Sequence, residues 1–469
     1  FRGEALGNEA YGDAFVCETV GNLVKQYDLT PAGESLKATQ TFEGSEFLAS
    51  TDERFRPVNL LTGPDGALYV VDMYRGVVQH KIFMTTWLRK QVEARGLELP
   101  IDRGRIWRVV KKDMPLTAIE DLSVASQERL VEVLQTSPNG TLRDTAQRLL
   151  VEHQSHEPVE ALKILALNRS VDDYRRIQAA WALHGLGAIN QPLVVELSRA
   201  SEASVRSTAA RLAEGLPPSD AADVLATLLE DVDPTVRMQS LLSVGELPNH
   251  EGFRLLDEEL TIAVADNALR KAIYSGLAGR EVAFVQANTP WISTNGAAQR
   301  RVIKDLMDAL LKRQGNGTAL MALISERSES APWQAMVLLD AVASYTRAGT
   351  KKPRTLRING EPRAWGEHLH ANDTRVATRA TKVDAVLRWP GRVGYAPKAD
   401  TSPSGIIARG KRLYGHCLSC HQPNGRGLPP IYPPLDESDF VNGSPERLAS
   451  ILLHGLEGRI KVRGQIYNQ

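Results

Sequence analysis

Asp231-Val232-Asp233-Pro234-Thr235-Val236-Arg237 reads as the start of a helix, and its register recurs along the middle of the chain. Proline fits the first turn of a helix, where its missing N–H costs nothing, and an acidic residue just ahead of it marks the same boundary. The register returns as Gly140-Thr141-Leu142-Arg143, Asp173-Tyr174-Arg175-Arg176, Ala203-Ser204-Val205-Arg206 and Ala268-Leu269-Arg270. Arginines 143, 176, 206, 237 and 270 fall 33, 30, 31 and 33 residues apart. Each is followed by apolar residues at helical spacing, such as Ala179, Ala180 and Leu183, or Leu241, Leu242 and Val244. A repeat of this length implies helical pairs that stack to bury a core no single pair could bury alone.

This array resembles HEAT-type repeats, antiparallel helix pairs in which such an arginine bonds a neighbouring turn. Its period is a little short for that class. The resemblance implies an α-solenoid that serves as scaffold or spacer, with a concave face open to a partner. Helical sequence continues with less clear repeats, so the expected array covers residues 113–388, with a linker at 389–403.

Downstream lies Cys417-Leu418-Ser419-Cys420-His421, the C-x-x-C-H spacing of covalent haem attachment. Two thiols three positions apart can add to the two vinyl groups on one porphyrin edge, and the next imidazole then sits under the iron. A dithiol redox pair would call for a βαβ context that the flanks lack. Zinc would call for four ligands where His416, His421 and two thiols are cramped together. Residues 406–414 read as an amphipathic helix leading into the motif, and Pro445 to His454 as a following helix.

With Gly425, Gly427 and the proline-rich Leu428-Pro429-Pro430-Ile431-Tyr432-Pro433-Pro434-Leu435, residues 404–469 resemble class I cytochromes c. The resemblance implies a small all-α cytochrome domain carrying haem c, held by Cys417 and Cys420 and ligated at its iron by His421. It also implies that Pro433 O accepts the second imidazole proton and that Leu435 packs on the haem. None of the seven methionines follows His421, the last being Met336. In relatives a Tyr-Asn element like Tyr467-Asn468 precedes a methionine ligand, so a methionine just past Gln469 is the expected sixth ligand, ahead of His416 or His454.

The first 112 residues follow strand grammar. Phe15–Val20 and Leu23–Tyr27 flank Gly21-Asn22, a hairpin dipeptide. Gly63-Pro64-Asp65-Gly66 precedes the run Ala67–Asp72, and Arg105–Val110 closes another strand. Asp65 and Gly66 read as turn-formers and Cys17 as a small core residue. The motif resembles the blades of β-propellers similar to soluble quinoprotein glucose and sorbosone dehydrogenases, with one or two C-terminal blades present. That resemblance implies a pyrroloquinoline quinone and calcium in the intact propeller, and a sugar or alcohol substrate. Arg54, Arg56, Asp72, Arg75 and His80 are the polar residues near strand ends that could face its centre, although solvated blade edges hold the same residue types.

Charge is balanced at 56 basic and 56 acidic residues, and the short run Lys351-Lys352-Pro353-Arg354 reads as solvated surface, so no nucleic-acid footprint exists. No apolar run approaches the roughly 20 residues that span a bilayer. The chain opens at Phe1 without a leader and stops inside the cytochrome pattern, which reads as a fragment. The order of propeller end, HEAT-like array and cytochrome resembles the large multidomain haem proteins of planctomycetes known as membrane-bound dehydrogenases. The resemblance implies an exported, periplasmic protein, because thioether attachment takes place outside the bacterial cytoplasm. It also implies an electron donor or acceptor protein as partner. The other expectation is a haem-bearing scaffold that docks partners without catalysis.

Overall fold

The structure is a computed structural model that describes residues 1–32, 35–78, 83–114, 116–314, 317–347, 355–363, 365–392 and 403–468. His80, the basic run at 351–354 and most of the expected linker lie outside these residues. The chain divides into two compact units, residues 1–315 with 319–345, and residues 316–318 with 346–469.

The first unit begins with two antiparallel sheets. In one, β2 (Leu23–Ala32) pairs with β1 (Ala14–Glu18), β3 (Ser35–Gln40) and β4 (Leu48–Ala49). In the other, β5 (Pro57–Thr62), β6 (Leu68–Asp72) and β7 (Arg105–Val109) run as a meander, with helix α1 (Thr86–Ala94) between β6 and β7. The β1–β2 turn works because Asn22 takes a left-handed φ of 60°, a conformation asparagine tolerates, while its Nδ2 donates to Phe55 O at 2.6 Å. Asp65 and Gly66 form the β5–β6 turn. Gly66 has φ 81°, and buried Asp65 accepts from Ala67 N at 3.2 Å and Tyr69 OH at 3.0 Å.

Phe15, Phe47, Leu60 and Val109 pack against two small buried clusters, Leu6 with Ala10 and Leu68, and Val24 with Phe55 and Val70. Cys17 is half-buried in β1, and burial pushes its thiol pKa up. The blades expected here therefore appear as two open sheets; among the described residues no closed barrel or propeller forms.

The helical array follows as α2 (Gln127–Thr136), α3 (Gly140–Glu152), α4 (Val159–Leu167), α5 (Asp173–Gly185), α6 (Gln191–Ser198), α7 (Ala203–Ala213), α8 (Pro218–Leu229), α9 (Pro234–Val244), α10 (Asn249–Ala263) and α11 (Asn267–Gly276). Neighbours pair, the even-numbered helices stack in one layer and the odd-numbered in a second, and Ala, Leu and Val fill the seam. Each buried leucine contributes about 2 kcal/mol, which only stacking makes available. Helices α12 (Glu281–Ala287), α13 (Pro290–Ser293), α14 (Ala297–Gln314), α15 (Gly317–Ser330) and α16 (Pro332–Arg347) complete the run.

The repeat arginines tie this array together. Arg143, 1 % exposed, donates to Ser137 O and Pro138 O in its own turn and to Gln178 Oε1 of α5 at 2.9 Å. Arg176 joins Ala166 O to Glu202, and Arg206 joins Ala200 O and Ser201 O to Asp231. Arg237 departs from the pattern, since its buried Nε has no hydrogen-bond partner.

The sheets and the array are joined by a polar seam. Buried Asn139 donates through Nδ2 to Gly63 O and Pro64 O, while its Oδ1 caps α3 at Thr141 N. Thr141 Oγ1 donates to Thr62 O at 2.8 Å, and Arg143 to Tyr11 Oη at 3.0 Å.

In the second unit, β8 (Leu356–Arg357) and β9 (Leu387–Arg388) form a short parallel pair around α17 (Trp365–Leu369) and α18 (Thr374–Asp384), interrupting the expected helical pattern. Arg392 donates two hydrogen bonds to the Asp384 carboxylate and one to its backbone oxygen, and Trp365 Nε1 donates to the same carboxylate. Then come α19 (Pro403–Tyr414), α20 (Leu418–His421), α21 (Asp439–Asn442), α22 (Pro445–His454) and the antiparallel hairpin β10 (Arg459–Val462) with β11 (Gln465–Asn468). That hairpin corrects the all-α expectation for this segment. Gly458, Arg463 and Gly464 take positive φ at its start and turn, and Ile460 and Val462 alternate with charged residues as a short strand requires. No helix among the described residues is long and apolar enough to cross a membrane.

Candidate functional site

α19 delivers the chain into the C-x-x-C-H turn. Cys417 N donates to Tyr414 O at 2.8 Å, and His421 N to Cys417 O at 3.0 Å, so both thiols and the imidazole ride on one helical turn. Cys417, Cys420 and His421 are each half-buried, and neither cysteine forms a disulfide. His421 Nδ1 lies 2.9 Å from Pro433 O. A carbonyl oxygen only accepts, so Nδ1 carries the proton and Nε2 is left with a lone pair for a metal.

The loop beneath the histidine needs its glycines. Gly427 has φ 63°, and a Cβ there would stand 2.3 Å from Tyr432 O and 2.5 Å from Pro433 O. Only glycine lets the two backbones come this close. Gly427 N donates to His421 O at 3.0 Å, and Leu435 N to Gly425 O at 2.7 Å, which brings the segment from Pro433 to half-buried Leu435 beside the motif. His416 and His454 are exposed.

The residues present fit a large flat apolar group. Among the described residues 403–468, Val462 and Tyr467 are buried, as are Pro433 and Pro434, while Ile406, Leu413, Leu418, Ile431, Leu452 and Leu453 are exposed. A segment this small with so few buried apolar side chains lacks the core that holds a domain together. A haem bonded at Cys417 and Cys420 would supply apolar surface for those side chains.

Sequence reading missed Tyr414, whose OH donates to Gln422 O at 2.7 Å across the motif. Desolvation raises its phenol pKa, with the Cys417 thiol a lesser cause. It also missed Asp436, which sits between Arg426 and Arg463 and so links the loop to the β10–β11 turn. No sequence signal marks either contact, because both depend on Gln422 and Arg463 taking positive φ.

The four described residues offered for a propeller centre make hydrogen bonds within the sheets and their loops. Arg56 donates to the carbonyl oxygens of Thr19, Val20, Arg75 and Gly76, and burial lowers its pKa. Arg54 donates to Gly96 O and Leu99 O, and Arg75 to Ile101 O. Asp72 accepts from Arg56 N, Tyr74 N and Trp107 Nε1. Among the described residues no group of three or more His, Cys, Asp or Glu side chains is arranged to hold a metal ion.

Residues 1–113 match a family described as a domain of unknown function, DUF7133. A 65-residue stretch, 13% of this chain, is 43% identical to cytochrome c-552 of Thermus thermophilus and covers 50% of that relative. The same identity and length hold against a second cytochrome c-552 from Thermus thermophilus, with 44% of it covered. The chain thus matches about half the length of these curated relatives or less. Among solved structures, an engineered protein aligns over 55% of this chain and 77% of its own at 16% identity and a TM-score of 0.24. The CpcE–CpcF complex of phycocyanin lyase from Nostoc aligns over 60% of this chain and all of that chain, at 19% identity and a TM-score of 0.26.

Proposed function

We propose that residues 404–469 carry haem c through thioether bonds from Cys417 and Cys420, with His421 Nε2 on the iron, and that the protein transfers electrons. The observation that carries this reading is the His421 Nδ1 to Pro433 O contact of 2.9 Å, which orients the ring and frees its other nitrogen beside two half-buried thiols. The likeness to cytochrome c-552 supports it. Such a group supplies one-electron chemistry at a potential set by its axial ligands and surroundings. The chain's own residues bind it at two points, hold the imidazole by Pro433 and shield it with Leu435.

Haem c attachment places the protein outside the bacterial cytoplasm and calls for an electron donor or acceptor protein. The fuller form of the reading makes residues 1–112 the end of a quinoprotein-type propeller oxidising a sugar or alcohol, residues 113–388 a HEAT-like scaffold, and the cytochrome the electron acceptor. A second reading is a haem-bearing scaffold without dehydrogenase chemistry. One observation favours it: Arg54, Arg56, Asp72 and Arg75 are all engaged in hydrogen bonds that hold turns.

The test is a pyridine haemochrome spectrum after expression with the cytochrome c maturation machinery and acid-acetone extraction. A c-type α band that stays with the polypeptide, and is lost in the Cys417→Ala/Cys420→Ala variant, is expected. No retained haem in the wild-type chain removes the electron-transfer reading.

A further inference from the structure

Tyr414 is the last residue of α19, and Gln422 is the first after α20. The phenol OH donates to Gln422 O at 2.7 Å, and the backbone O of the same tyrosine accepts from Cys417 N at 2.8 Å. One residue therefore grips both ends of the stretch that bears the thiols and His421. Gln422 stands at φ 64° and ψ 160°, a positive-φ extended conformation that costs a non-glycine residue about 1–3 kcal/mol and persists only when surrounding bonds hold it.

Those bonds lead onward to the histidine's partner. Gln422 O also receives Gly425 N at 3.1 Å, and Gly425 O receives Leu435 N at 2.7 Å and Asp436 N at 3.1 Å. These residues closely follow Pro433, whose carbonyl receives His421 Nδ1. The bonds along this path are backbone to backbone apart from two, those made by the side chains of Tyr414 and His421. The phenol thus links the entry helix directly to the loop that aims the imidazole.

We propose that Tyr414 is a positioning residue of the haem site: its OH closes the attachment loop and sets where His421 stands relative to Cys417, Cys420 and Pro433 O. This rests on the haem reading above. Phenylalanine at 414 keeps the ring and its packing and removes only the hydrogen bond.

The experiment compares the full chain, matured with haem, with its Tyr414→Phe variant. Covalent haem is retained, and amide exchange at Gly425 and Gly427 speeds up by about three- to tenfold, the worth of one hydrogen bond. The midpoint potential rises, because a loosened Nδ1–H to carbonyl contact makes the imidazole a poorer donor to ferric iron. Loss of haem from the variant alone, with helical circular dichroism intact, supports the role equally. Unchanged exchange or an unchanged potential in Tyr414→Phe, beside a haem-bearing wild-type chain, overturns it. A wild-type chain without covalent haem removes the haem reading itself, and the positioning role with it.

Discussion

Arg206 grips both carboxylate oxygens of Asp231, Nε to Oδ2 at 2.6 Å and Nη2 to Oδ1 at 2.9 Å, and so ties one helical pair to the next. Both side chains are largely buried, at 15 % and 9 % exposed. The arginine's hydrogen bonds hold the Asp231 carboxyl below the usual carboxylate range. A depressed folded-state value means that the pair's contribution is complete above the unfolded aspartate value of about 3.9 and is lost as pH falls through the folded one. Asp231→Asn should cost about 2–4 kcal/mol at pH 7, since it leaves Arg206 buried without its counter-charge. In urea melts it should flatten the fall in stability below about pH 4. The Arg2–Asp144 pair, roughly half exposed on both sides, sets the comparison: Asp144→Asn should cost under about 1 kcal/mol.

Asn139 is the hinge pin of the sheet–array seam. Its side chain is fully buried, caps α3 through Oδ1 and satisfies Gly63 O and Pro64 O through Nδ2. Asn139→Ala removes a helix cap, worth about 1 kcal/mol, and strands two carbonyls at about 1–3 kcal/mol each. Asn139→Asp keeps the cap but cannot donate, and should lose most of what alanine loses. Limited proteolysis should then release the region before residue 125 from either variant well before the array is cut. Equal resistance of wild type and both variants would contradict this account of the seam.

The helix starts of the array were legible because their signals are local. Asp233 Oδ1 accepts from Thr235 N at 2.8 Å, and Pro234 occupies the first turn, as the Asp-Pro order implies. Asn22 in the β1–β2 turn is the same kind of signal. The parallel pair β8–β9 gave no such sign, since each strand is two residues long and its partner lies about 30 residues away. The bonds of the sheet arginines were not legible. Arg54, Arg56 and Arg75 are satisfied by backbone carbonyls, and a carbonyl has no letter in a sequence. At the candidate site the motif itself was legible, but the Tyr414–Gln422 contact arises from a backbone turn that glutamine only rarely makes.

Gly245 and Gly276 meet backbone to backbone where α9 passes α11. A Cβ on Gly245 would stand 2.6 Å from Gly276 Cα, and one on Gly276 would stand 2.8 Å from Gly245 Cα. Neither position has a side-chain rotamer that could yield, so Gly245→Ala or Gly276→Ala must spread the two helices. Each should cost about 1–3 kcal/mol, the scale of overpacking in a filled core. Arg280 donates to both glycine carbonyls, so spreading the helices also weakens that bridge. Amide exchange in α9 and α11 should rise in both variants while α3 and α5 stay protected, because stacked repeats feel mainly their neighbours.

Gly427 and Gly425 form a matched pair that separates two costs. Both have positive φ, 63° and 71°, so alanine at either position pays about 1–2 kcal/mol for a left-handed backbone. Around Gly425 the nearest atom to an added Cβ is 3.7 Å away, which is ordinary contact. At Gly427 the added Cβ would strike Tyr432 O and Pro433 O, and the second of these is the atom that receives His421 Nδ1. Gly425→Ala should therefore lower thermal stability and move the midpoint potential less than Gly427→Ala does. Gly427→Ala should lower stability further and raise the potential, because the carbonyl must retreat from the imidazole. Equal potentials in the two variants would show that Pro433 O does not set the electronic character of the histidine.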